Sequence, residues 1–271
     1  MSFLLYPILG STLLIIFSEI IEVPIVIPPG VSGRLPRRIV SGNLAERGEF
    51  PYIISLKFDF KNDDHICGGS IISPKHILTA GHCVDWLYPR DLIVVSGTTR
   101  QDDENAVHSQ VANITRHPGF VRRTKTSRIQ NDLAVLTLKE PLHLDGHLQD
   151  AVKLPVESWT PGTAATVAGW GYEYDVFSPK YSKDVPNDLR KLQVTIISHE
   201  ECAKKRAQPF EYQICATRSD ATVCQGDSGG PLVVNNVIVG VVSTTSCRLG
   251  SYSGYMDTYY FREFIQDAMK E

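Results

Sequence analysis

The sequence predicts an all-β protein with one helix at its C-terminus, and three observations lead there. Short apolar runs such as Tyr52-Ile53-Ile54-Ser55-Leu56, Leu92-Ile93-Val94-Val95 and residues 237–242 are separated by Gly, Pro, Asn and Asp clusters, the pattern of short strands joined by turns. A clear helical period occurs in one place, where Phe261, Phe264, Ile265, Ala268 and Met269 recur at spacings of three and four and draw a single apolar stripe. The stretch 139–156, rich in Pro, Gly, Asp and His, divides the strand-rich region into two parts of similar size and reads as an interdomain connection.

In chain order, residues 3–17 are almost wholly apolar, Glu19 and Glu22 break the run, and a second apolar patch spans 23–27. Residues 1–18 read as a secretory signal peptide. No Lys or Arg precedes the run, so an uncleaved anchor is the alternative, although the run falls short of the ~20 residues a membrane span needs. A buried core helix conflicts with Pro7, Gly10, Pro28 and Pro29. Residues 19–38 mix Pro, Gly and Ser and end in Arg34, Arg37 and Arg38, which marks an extended, exposed segment open to proteolytic cutting.

The bulk numbers narrow the function. A chain of 271 residues, 42% hydrophobic and 21% charged, buries a sizeable core in one large domain or two small ones. Its formal charge of −3 supplies no basic field for a polyanion, so nucleic acid is not an expected partner. Six cysteines behind a secretory leader point to disulfides, for which the sequence alone leaves about 15 connectivities open. The competing Cys/His metal reading finds no C-x-x-C pair and no suitably spaced histidines, so neither a metal nor another cofactor is expected.

Three segments carry chemistry. A serine hydroxyl becomes a nucleophile at neutral pH when an imidazole takes its proton and a carboxylate fixes the imidazole's tautomer. Ser228 lies in Gly226-Asp227-Ser228-Gly229-Gly230-Pro231, where glycines let the backbone turn tightly and aim amide N–H groups at an approaching carbonyl. His82 lies in Thr79-Ala80-Gly81-His82-Cys83, and Asp132 in Asn131-Asp132-Leu133-Ala134-Val135-Leu136. Singly, each motif is more often a turn or a half-buried polar residue. Together, in the order His, Asp, Ser, they form a constellation that unrelated turns do not reproduce.

In these motifs the chain resembles the chymotrypsin-like, trypsin-fold serine proteases, over essentially all of residues 39–271. Further anchors are Ile39-Val40-Ser41-Gly42 after an arginine, Cys67-Gly68-Gly69-Ser70, and Ala168-Gly169-Trp170-Gly171. The resemblance implies two six-stranded Greek-key β-barrels with the active site between them. It implies His82, Asp132 and Ser228 as the triad and the N–H groups of Gly226 and Ser228 as the oxyanion hole. Ser243 would hydrogen-bond to Asp132, and Ser243, Thr244 and Thr245 would pair with the substrate backbone. Residues 19–38 become an activation propeptide, cut after Arg38 by a trypsin-like protease so that the new amine of Ile39 pairs with Asp227. The family pattern also joins Cys67 to Cys83, Cys202 to Cys215 and Cys224 to Cys247. Expected partners are protein or peptide substrates, the activating protease and protein inhibitors, with a membrane involved only if the N-terminal segment stays uncut; the expected location is extracellular.

The chain departs from the family in places. Gly81 stands where alanine is usual, Ser41 replaces a common glycine, and Thr244 stands where tryptophan is frequent. Thr222, six residues before Ser228, would floor the pocket for the residue preceding the scissile bond, where a trypsin-like enzyme carries aspartate. Thr245 would narrow the pocket where glycine commonly keeps it open, and Gly254 would leave the opposite wall permissive. The expected preference is for small to medium uncharged residues, with large aromatics as the alternative. Asn113-Ile114-Thr115 is a glycosylation sequon expected on a surface loop. Arg122, Arg123, Lys125 and Arg128 form a basic run that is either a solvated loop or a cleft border favouring acidic substrates. Asp102, Asp103 and Glu104 raise calcium, but the segment between Gly97 and His117 is shorter than in calcium-binding relatives, so none is expected. A catalytically silent binding protein and a membrane-anchored protease are the other functions that fit.

Overall fold

The computed structural model describes residues 42–59, 64–172, 186–204 and 208–270. The leader, the propeptide, Ile39 and Ser41 lie outside the described residues. A short strand, β1 (Asn43–Leu44), precedes six strands that close on themselves: β2 (Ile53–Phe58), β3 (His65–Ser73), β4 (His76–Thr79), β5 (Leu92–Ser96), β6 (Val107–Arg116) and β7 (Ala134–Leu138). Around this barrel the order is β2-β3-β4-β7-β6-β5, every pairing antiparallel. A six-stranded barrel is narrow enough for side chains to fill. Ile54, Leu56, Ile71, Leu78, Val94, Leu136 and Leu138 are buried in one cluster and do so.

The second barrel comprises β8 (Ala164–Gly169), β9 (Arg190–Ile197), β10 (Gln213–Thr217), β11 (Pro231–Val234), β12 (Val237–Thr244) and β13 (Tyr252–Asp257). It closes in the order β8-β9-β10-β13-β12-β11, and β1 adds to β9. Both barrels therefore run first, second, third, sixth, fifth, fourth, the Greek-key order expected from the resemblance. Val167, Leu192, Val194, Ile196, Ile214, Leu232 and Val242 fill this interior.

The segment between β7 and β8 is strapped to the first barrel: Leu142 N–H donates to Pro74 O, Val152 N–H donates to Ile71 O, and both side chains are buried. The C-terminal helix, α2 (Arg262–Ala268), lays Ile265 and Ala268, with the preceding Phe261, into the first barrel's core cluster. A second, shorter helix, α1 (His199–Ala203), was not visible as a period because five residues make little more than one turn. Ser198 caps it by accepting from Glu201 N–H at 3.1 Å.

Disulfides join Cys67 to Cys83, Cys202 to Cys215 and Cys224 to Cys247. The first ties β3 to the turn of His82, the second ties α1 to β10, and the third ties the segment before Ser228 to the one after β12. Asn113 is exposed on β6, a strand and not the expected loop, with its amide donating to Thr115 Oγ1.

Candidate active site

Pairing of β4 with β7 places two of the chemical groups side by side. Thr79 faces Ala134 across that ladder, so the turn leaving β4 and the segment entering β7 emerge at the same barrel end. The turn is a 3-10 helix, Gly81–Val84, and it carries His82. Gly81 is the unusual residue here: a Cβ on it would meet the Phe120 ring at 3.0 Å and Leu133 O at 3.2 Å. The phenyl ring already fills that room.

Asp132 is fully buried and uses both oxygens. Oδ1 accepts from His82 N–H at 2.7 Å, while Oδ2 accepts from His82 Nδ1 at 2.7 Å and from Ser243 Oγ at 2.6 Å. Nδ1 of His82 therefore carries a proton, which leaves Nε2 of the neutral ring as the base. Burial presses the His82 pKa down, but the hydrogen bond and charge of Asp132, with the more distant Asp85, outweigh it and leave the imidazole above its ordinary value. His82 and Ser228 line one cavity of about 400 Å3, whose remaining walls include Phe58, Ile66, Leu87 and Gln225.

Ser228 sits in the loop between β10 and β11, and its glycines are required by space as well as conformation. Gly226 and Gly229 adopt φ of +95° and +79°, and a Cβ on Gly229 would strike Thr79 Oγ1 and Gly68 O. Asp227 N–H is spent on Cys224 O. Among the described residues, the N–H groups of Gly226 and Ser228 on either side of it have no acceptor. The nucleophile loop is also tied to the first barrel, because Gly68 N–H donates to Ser228 O at 2.8 Å.

The Asp227 carboxylate is buried against Gly169 and Gly171, where any Cβ would collide with it. It accepts from Cys224 N–H at 2.9 Å and Gly171 N–H at 2.8 Å, yet burial outweighs these bonds and pushes its pKa up to about 6. The sequence reading passed over His65. Its ring is held between Ser55 Oγ at 2.7 Å and Gly226 O at 2.9 Å, and burial, only partly opposed by that carbonyl, pulls its pKa down to about 4. As a neutral ring it donates from Nε2 and so pins the carbonyl of Gly226. Its signal in the sequence was a lone histidine ahead of Cys67, which has no motif of its own.

The residues expected to line the pocket fall on two sides of a narrow gap. Thr222 is buried, with its hydroxyl donating to Val223 O at 3.2 Å. From the facing segment, Thr245 Oγ1 donates to that same carbonyl at 2.6 Å, so the two walls touch through one side chain. Gly254, expected on the opposite wall, turns the Cα hydrogen in the side-chain position toward Thr244 and not toward Thr245. It pairs with Thr244 across β12 and β13, and a Cβ on it would strike Thr244 Oγ1, on the side away from Thr245. Side chains alternate along a strand, so the preceding residue, Ser253, faces Thr245, with its Oγ 3.5 Å from Thr245 Oγ1.

Among the described residues, the one grouping with metal-ligand geometry is Cys67, His82 and Cys83, and its two sulfurs are spent on a disulfide. Asp102 and Asp103 are paired with Arg100 and Arg47.

The Trypsin family model matches residues 39–265. Trypsin alpha of Drosophila melanogaster is 34% identical over 245 residues, covering 88% of this chain and 90% of the relative. Hypodermin-A of Hypoderma lineatum is 35% identical over 249 residues, covering 89% and 91%. Among solved structures, neuropsin, a serine protease expressed in the limbic system of mouse brain, superposes with a TM-score of 0.73 at 26% identity over 84% of this chain and 98% of its own. Two closed barrels of matching order, with this sequence similarity, establish that the chain belongs to the trypsin family of serine proteases and is an endopeptidase acting on protein substrates.

Proposed function

We propose that the chain is the secreted precursor of an endopeptidase that uses Ser228, His82 and Asp132 and prefers small uncharged residues before the scissile bond. The observation that supports the catalytic assignment best is the double use of Asp132, which fixes both the backbone and the ring of His82. Ser228 Oγ attacks the substrate carbonyl carbon and passes its proton to His82 Nε2. The resulting oxyanion is stabilised by the N–H groups of Gly226 and Ser228. His82 then protonates the leaving amine, the C–N bond breaks, and an acyl-enzyme remains. Water, deprotonated by the same imidazole, hydrolyses the ester and returns the proton to Ser228.

The size preference rests on the Thr245 bridge to Val223 O, which leaves little depth above Thr222. A cationic side chain buried there would face hydroxyls where it needs a carboxylate, at a cost of several kcal/mol. The similarity to trypsins by name therefore does not extend to this pocket. Activation is assigned to cleavage between Arg38 and Ile39 by a trypsin-like protease, with Asp227 receiving the new amine. Its burial with no cationic side chain against it among the described residues supports that role. Three disulfides suit an oxidising compartment, and exposed Asn113 suits a glycan there.

The test is a set of peptides varying only the residue before the scissile bond, run on protein cut after Arg38. Ala, Val or Leu should lead. A kcat/KM at least about tenfold higher for Arg or Lys would overturn the pocket assignment, and wild-type turnover by Ser228→Ala would overturn the mechanism.

A further inference from the structure

The basic run between β6 and β7 is not uniform. Arg122 is spent on the carboxylate of Asp85 and lies over the Trp86 ring, 4.5 Å from its centroid. Arg128 donates to Gln208 O at 2.8 Å and stacks 4.2 Å above the Phe210 ring. Arg123 and Lys125 are exposed, and among the described residues neither has a carboxylate partner. Both line a cavity of about 330 Å3. Its lining is mixed: Thr124, Thr126, Ser127 and Gln213 are polar, while Ile129, Tyr252 and the Cys202–Cys215 disulfide supply apolar surface, and Thr244 and Gly254 also line it. None of its described lining residues is acidic.

The position of this cavity gives it meaning. Thr244 lies between Ser243, which is bonded to Asp132, and Thr245, which reaches the pocket wall. The cavity thus opens beside the line on which the triad and the pocket are strung. The Thr244 hydroxyl packs directly over Gly254, where a Cβ would collide with it. An extended peptide advances about 3.3 Å per residue. If substrate pairs along residues 243–245 as expected, the residues preceding the one at the scissile bond pass Thr244, which lines the cavity.

We propose that this cavity is an anionic subsite, and that the enzyme selects protein substrates carrying glutamate two to four residues before the scissile bond. This rests on the catalytic reading above and adds the substrate class. Glutamate fits better than aspartate because its methylenes can cover Ile129 and Tyr252 while its carboxylate reaches the cationic rim. Exposed ion pairs are individually weak and screened by salt, so the preference is modest and salt-dependent.

The experiment uses peptides with alanine before the scissile bond and Gln, Glu, Asp or Lys at each of the three preceding positions. At low salt, Glu should exceed Gln in kcat/KM by about 5–10-fold at one of these positions and should exceed Asp there; the ratio should shrink toward one at roughly 0.5 M salt. The double variant Arg123→Gln/Lys125→Gln should bring the Glu/Gln ratio to near one at low salt. Binding of the same peptides to the cut Ser228→Ala protein, followed by fluorescence anisotropy, should give the same order. Equal values for Glu and Gln in that binding assay, or a ratio indifferent to the double variant, would overturn the proposal. Retention on a sulfated-polysaccharide column that the variant loses, with no Glu preference, would overturn it in favour of a polyanion surface. Failure of the catalytic reading would appear differently, as no turnover of any peptide while the binding preference persists.

Discussion

In the proposed pocket, Thr245 would decide how deep a substrate side chain can go, because its hydroxyl spans the gap to Val223 O at 2.6 Å. Thr245→Gly should remove that bridge and raise kcat/KM for Leu or Phe relative to Ala by about tenfold, the scale of one or two methylenes in an apolar pocket. Thr222→Asp alone should give little cleavage after arginine, since the bridge still blocks the way; paired with Thr245→Gly it should give measurable arginine cleavage. Peptide profiles of the three variants check both statements. Asp132→Asn should lower kcat by about 10⁴, the loss established for this type of triad. His82 works as a base when neutral, and Asp132 and Asp85 hold its pKa above the ordinary value despite burial. Activity should accordingly fall as pH drops through a point above about 6.5, and a pH profile of kcat/KM with its acid limb below that would contradict the geometry.

Elements differed in how plainly the sequence announced them. The motifs around His82, Asp132 and Ser228 were legible because each residue sits at a fixed offset from glycines or a strand. The nearness of Thr222 to Thr245 was legible for the same reason, and both hydroxyls meet Val223 O. That Ser253 and not Gly254 faces Thr245 was not legible: the chain between Cys247 and β13 sets the register, and a shift of one residue along a strand exchanges its faces. α1 lacked the length for a period, and His65 acts through a backbone carbonyl that no sequence pattern marks. The disulfide between β3 and the His82 turn closes a 16-residue separation. Cys67→Ser/Cys83→Ser should therefore cost roughly 3 kcal/mol, read as a lower denaturant midpoint. Because that bond also holds the turn, the variant's kcat should fall under conditions where the protein remains folded.

Across the whole molecule, the proposed activation would couple stability to the cut at Arg38 through the buried Asp227. In the uncut chain its carboxyl is raised to about 6, against an ordinary value near 4, so the folded state holds its proton more tightly than the unfolded one. Stability of the uncut form should fall as pH rises through that window, by roughly 3 kcal/mol at most. Under the proposed activation, a freed amine beside Asp227 would supply the missing charge. The cut form should match the uncut one near pH 4, exceed it by pH 7, and lose the advantage again as pH climbs through the amine's raised pKa. Urea unfolding of cut and uncut Ser228→Ala protein measures the difference directly, and parallel curves from pH 4 to 7 would refute the coupling.

The bond from Gly68 N–H to Ser228 O reaches from one barrel to the other, and a Cβ on Gly68 would come within 3.0 Å of Gly230 Cα. Ser228 is thus mounted on the seam between the two barrels, so its reactivity toward a serine-directed reagent should report whether that seam is intact. Under rising denaturant, the rate at which a serine-directed reagent labels Ser228 should decline before tryptophan fluorescence registers global unfolding. A ligand that bridges the halves should delay that decline, which makes labelling rate a gauge of how firmly the barrels stay shut.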